Sequence, residues 1–114
     1  KRRNVMAEQL VRKPHMKVWQ SLDESWKTYL NGLEESLKYL ENGIDEGREM
    51  QEICTDEWCE ATEHYLDYIA HGLFTIHEPN FASEEDSRRI KDMKKKLHDL
   101  YAKYRSVQTE SATA

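Results

Sequence analysis

Glu60, His64, Asp67 and His71 recur at i, i+4, i+7 and i+11, with Glu63 beside them. On a helix turning 100° per residue, that spacing stacks the four side chains in one column. His64 with Asp67, or Asp67 with His71, then offers a two-point chelate of imidazole and carboxylate. Such a donor set suits a divalent transition ion. A metal-binding or metal-responsive reading of the chain rests on this column. Yet the column sits nearly opposite the face set by Trp58, Ala61, Tyr65 and Gly72. Buried di-iron carboxylate centres draw their ligands inward from four helices. The first predicted helix has no matching His column, and the third contributes only His98-Asp99. A solvated polar face that needs no cofactor is the simpler expectation.

Other reaction chemistry is missing from the pattern. No Ser/His/Asp arrangement, no phosphate-cradling Gly-rich loop and no nucleophile with a matching base can be picked out. The expectation is a non-enzyme. Cys54 and Cys59 are five apart, which on one helix separates them by ~7.5 Å along the axis and about 140° around it. A disulfide needs Cα atoms within about 7 Å and facing Cβ vectors, so reduced thiols and a cytoplasmic setting are expected.

The elements that must carry these residues are helical. Four Gly, two Pro and few β-branched residues among 114 argue against a barrel, a sandwich or a doubly wound sheet. Val18, Trp19, Leu22, Trp26, Tyr29, Leu30, Leu33, Leu37, Leu40 and Ile44 follow at spacings of three and four, predicting a first helix over about 15–41 with one wide apolar stripe. Asn42-Gly43 reads as its stop. A second helix begins near 44 or at 55 and runs to 77. Its predicted apolar face is Cys54, Trp58, Ala61, Tyr65, Tyr68, Ile69, Gly72, Leu73 and Ile76. Pro79 ends it. Ser83, as N-cap, opens a third helix over 84–106, with Glu84, Glu85 and Asp86 in the first turn. Ile90, Met93, Leu97, Leu100, Tyr101, Tyr104 and Val107 form its narrow stripe. Residues 1–14, interrupted by Pro14, read as a basic flexible arm, and 108–114 as a disordered tail.

These elements predict an all-α fold over 15–107: an antiparallel up-down bundle of three or four helices that self-associates. No stretch approaches the ~18 uncharged apolar residues of a membrane span.

The net charge of −5 is segregated along the chain. Residues 1–17 carry +5, residues 18–79 carry −12 and residues 80–114 carry +2. The simpler account places the basic third helix beside the acidic first two, with charges pairing at the seams. The sharper one makes its bases a patch for an acidic partner. Nucleic acid is disfavoured, because no recognised binding motif is present and the overall charge repels DNA.

The leading expectation is therefore a non-catalytic helical interaction module: an adaptor, regulator or assembly factor, homodimeric and with a protein partner. Trp19 and Trp26 of the first stripe, Phe81 of the 78–82 loop, and Arg88, Arg89 and Lys95 of the third helix are the candidate contacts. A metal protein using the Glu60/His64/Asp67/His71 column stands second. An amphipathic surface-coating protein stands third.

Overall fold

The computed structural model describes residues 5–49 and 56–113. They form α1 (Val5–Glu49), α2 (Asp56–Phe74) and α3 (Glu84–Thr113), and no strand occurs among the described residues. The chain divides into two compact units, residues 1–31 and 32–114.

Several helix ends differ from those expected. α1 takes in most of the segment read as an arm, starting at Val5 and continuing through Pro14. Pro14 removes one backbone donor, but strong helix formers, Ala7, Glu8, Gln9 and Leu10, precede it. At its other end α1 runs past Asn42-Gly43 to Glu49. Gly43 does not take the left-handed conformation a stop requires, since no residue among those described has a positive φ. Ile44 is buried just beyond it, and Glu41 and Asp45 on either side are ion-paired. Those contacts outweigh the ~1 kcal/mol that a helical glycine costs. α2 begins at Asp56, in keeping with the later of its two candidate starts; Thr55 itself lies outside the described residues. α3 extends seven residues past 106 to Thr113, taking in most of the expected tail. Gln, Glu and Ala in that stretch favour helix.

In the unit of residues 1–31, Trp26 and Leu30 are buried, whereas Met16, Val18, Trp19 and Leu22 are more than half exposed. In the unit of residues 32–114, Leu37 and Ile44 of α1, Leu66 and Leu73 of α2, and Ile90, Met93, Leu97, Leu100, Tyr104 and Val107 of α3 are buried. These side chains make the core of a helical bundle. The expected α3 stripe is buried throughout except at Tyr101, which is half-buried.

Cross-helix contacts fix the neighbours. Glu34, Glu41 and Asp45 of α1 pair with Arg89, Lys96 and Lys103 of α3. Cys59, Glu63, Asp67 and Phe74 of α2 meet Tyr104, Tyr104, Tyr101 and Lys94 of α3. Residue numbers rise together along the first seam and run in opposite order along the second.

Ser83 caps α3 as expected: the Asp86 N–H donates to Ser83 Oγ at 3.1 Å, and the Ser83 N–H donates back to Asp86 Oδ2 at 3.2 Å. This reciprocal box satisfies two backbone donors and explains how Asp86, 2% exposed, is tolerated inside. The loop before it is tied down by Ser87 Oγ, which donates to Glu78 Oε1 at 2.6 Å.

Candidate functional site

The α2 face is the main correction to the sequence reading. The buried side chains are Cys59, Thr62, Leu66 and Leu73, at i, i+3, i+7 and i+14. Ala61, Tyr65 and Tyr68, expected in the core, are exposed. Trp58, Ile69, Gly72 and Ile76 are half-buried, and Cys54 lies outside the described residues. The physical reason is that a tyrosine is apolar only along its ring; its hydroxyl is satisfied by water when it faces out. Leucine has no such alternative, so Leu66 and Leu73 turn inward. α2 is thus apolar on two sides, one covered by the bundle and one facing outward.

The candidate metal column also faces outward, on a different strip of α2. Glu60, His64, Asp67 and His71 are all exposed. Their neighbours differ. Asp67 Oδ1 accepts a hydrogen bond from Tyr101 at 2.5 Å. The His64 ring makes edge contacts with Tyr65 and Tyr68, at centroid distances of 5.5 and 5.1 Å. Among the described residues, no three His, Cys, Asp or Glu side chains converge on a point that could hold a metal ion. Glu57, Glu60, Ala61, His64 and Tyr65 instead line a shallow open cleft.

At the α2–α3 seam, Tyr104 donates to the Cys59 carbonyl at 3.0 Å and stacks obliquely near Trp58, with centroids 6.4 Å apart. Burial raises the Tyr104 phenol pKa, and the Glu63 carboxylate adds to the shift. Burial likewise raises that of Tyr101, with the hydrogen bond to Asp67 next in size. Both phenols are held in the protonated form and donate hydrogen bonds across the seam.

The candidate partner-binding residues separate into two groups. Trp19 is exposed, as are Arg88 and Lys95. Trp26 is buried at 9% exposure, and Phe81 is half-buried. Arg89 is half-buried, with Nη2 bonded to Glu34 at 2.6 Å. Lys96 and Lys103 are committed to α1 in the same way. Lys94 lies 5.4 Å from the centroid of the Phe74 ring. Four of the eight bases of α3, Arg89, Lys94, Lys96 and Lys103, thus make contacts within the fold. Arg88, Lys91, Lys95 and Arg105 are exposed, as are Glu84, Glu85, Asp92 and Asp99.

Cys59 is disulfide-bonded, contrary to the expectation of reduced thiols. That expectation assumed both cysteines on one helix. α2 begins at Asp56 and so holds Cys59 alone, and the only other cysteine in the chain is Cys54.

The sequence reading also missed Leu66 and Thr62 as core residues. Their signal was the seven-residue spacing Cys59, Leu66, Leu73, which keeps one face of a helix. Comparison of the chain with protein-family models, with curated proteins and with solved structures finds no match. No helix among the described residues is long and apolar enough to cross a membrane.

Proposed function

We propose that the chain is a non-catalytic helical interaction module, an adaptor, regulator or assembly factor that joins a protein partner and self-associates. The observation that carries this reading is the break in burial along one stripe of α1. Trp26 and Leu30 are buried, while Trp19 and Leu22 on the same stripe are 51% and 52% exposed. Large aromatic and aliphatic side chains left in water at regular helical spacing are the usual mark of a surface that meets a partner. The order of contacts along the helices supports the up-down, antiparallel form of the bundle. Among the described residues no converging ligand set supports the metal reading. Cytoplasmic placement rested on reduced thiols; a disulfide-bonded Cys59 favours an oxidising compartment instead.

The test is retention of a partner from the native host by the full chain and by a Trp19→Ala/Leu22→Ala variant. The reading expects a stoichiometric partner that the variant loses while its helical circular dichroism is unchanged. Equal retention by both proteins, or none by either, would contradict it.

A further inference from the structure

Residues 14–22 of α1 are all exposed, so the helix is bare on every side there, and Met16, Val18, Trp19 and Leu22 stand in water. Between Glu8 and Asp23 the sequence carries Arg12, Lys13 and Lys17 and no acid, and residues 1–17 together hold +5. This stretch of α1 is apolar and basic. The outward side of α2 has the opposite sign. α2 contains five acids and neither Lys nor Arg. Two of them, Glu57 and Glu60, are exposed and line one open cleft with Ala61, His64 and Tyr65. Tyr65 and Tyr68 are 57% and 68% exposed.

We propose that the 9–22 stretch of α1 in one copy of the chain docks on the Glu57/Glu60/Tyr65/Tyr68 face of α2 in a second copy. Each surface supplies what the other lacks. The bases of α1 meet carboxylates, and Val18, Trp19 and Leu22 meet the tyrosine rings, whose faces also attract Lys and Arg. Opposite charge steers this pairing and works against the alternatives, because two α1 stretches repel one another and so do two α2 faces. Exchanged reciprocally, the contact is made twice and closes as a two-fold dimer.

The charge layout of the whole chain favours a second copy over a lipid surface. An anionic bilayer attracts the +5 of residues 1–17 but repels the −12 of residues 18–79. A second copy offers acid to the basic stretch and base to the acidic one, so both segments gain from the same encounter.

The proposal rests on the reading of the chain as a self-associating interaction module and names the surfaces that self-association uses. Its test is sedimentation velocity on the full chain up to about 200 µM, a range that detects dimers of modest affinity. The wild type should dimerise, and more weakly in high salt. Arg12→Glu/Lys13→Glu/Lys17→Glu sets acid against acid, and Glu57→Lys/Glu60→Lys sets base against base. Each variant alone should raise the dissociation constant at least about tenfold. An equimolar mixture of the two should associate again, because every contact then joins opposite charges. Circular dichroism confirms that both are helical; where the lysines disturb the first turn of α2, Glu57→Gln/Glu60→Gln replaces them and should still weaken the dimer. A dimer indifferent to the α1 variant or to the α2 variant, or a mixture of helical variants that stays monomeric, would overturn the proposal and leave the interaction-module reading in place. A monomeric wild type that retains a host protein, or that cosediments with phosphatidylserine vesicles, would give the α1 stretch to that occupant and overturn it as well. A monomer with no partner of any kind would overturn both.

Discussion

Arg89 Nη2 lies 2.6 Å from Glu34 Oε2, joining the basic third helix to the acidic first. It is one rung of a ladder. Arg89, Lys96 and Lys103 follow at seven-residue intervals along α3, facing Glu34, Glu41 and Asp45. The heptad spacing keeps the bases on one edge of the helix, where flanking charges of helical bundles choose their neighbours. Each rung is partly exposed, so each contributes little alone. Glu34→Ala should destabilise the fold by less than about 1 kcal/mol, whereas reversing both Glu34 and Glu41 to Lys should cost several times more. Urea unfolding at low and high salt checks this: the double reversal should lose much of its effect in high salt.

The Ser83–Asp86 box makes a second prediction. Ser83→Ala removes the acceptor for the Asp86 N–H and should cost about 1 kcal/mol. Asp86→Ala should cost more, up to about 3 kcal/mol, because Asp86 is also buried and its loss orphans the Ser83 N–H. Chemical denaturation measures both. Equal stability of wild type and Asp86→Ala would show that the box does not hold the start of α3.

Gly32 lies within α1, and a Cβ built there meets nothing within 4 Å. Gly32→Ala should therefore stabilise the chain by about 0.5–1 kcal/mol through helix propensity alone. A rise in thermal midpoint is the expected readout.

Alkaline pH should act through Tyr101 and Tyr104. Their folded pKa values are raised above the ordinary phenol value near 10, chiefly by burial. The folded state therefore holds these protons more tightly than the unfolded chain. Their contribution to stability is complete below about pH 10 and falls as pH rises beyond it. Thermal midpoints measured from pH 8 to about 11 should decline, and a Tyr101→Phe/Tyr104→Phe variant should decline less steeply. The same slope in both proteins would remove these phenols from the account.

Reduction should also weaken the fold. A disulfide removes conformational freedom from the unfolded chain and typically contributes about 2–4 kcal/mol. Dithiothreitol should lower the thermal midpoint, and a denatured, unreduced sample should take up no thiol-alkylating reagent. Two alkylated cysteines in that sample would contradict the disulfide.

How far the sequence revealed the fold depends on which residue types carried the signal. α3 was legible because its stripe is built of Ile, Met, Leu and Val, whose only gain is burial, and its start is marked by Ser83 with three acids. The α1 period was equally clear, but its ends were not. Pro14 and Asn42-Gly43 are local stop signals, and neighbouring helix formers and long-range contacts at Glu41, Ile44 and Asp45 override them. α2 was misread because tyrosine serves on either side of a helix, so Tyr65 and Tyr68 mimicked a core stripe. The polar column Glu60, His64, Asp67 and His71 was rightly placed away from the core. Its side chains turned out to have separate surroundings: an α3 tyrosine for Asp67, neighbouring rings for His64. Disulfide bonding at Cys59 was hidden by the assumption that both cysteines share one helix.

Native mass spectrometry of untagged protein taken from its own host tests the interaction-module reading most directly. The expected result is a mass above that of one chain, a dimer or a complex with a partner, carrying no stoichiometric metal. A bare monomer of 13.6 kDa, or a monomer holding one equivalent of metal, would contradict it.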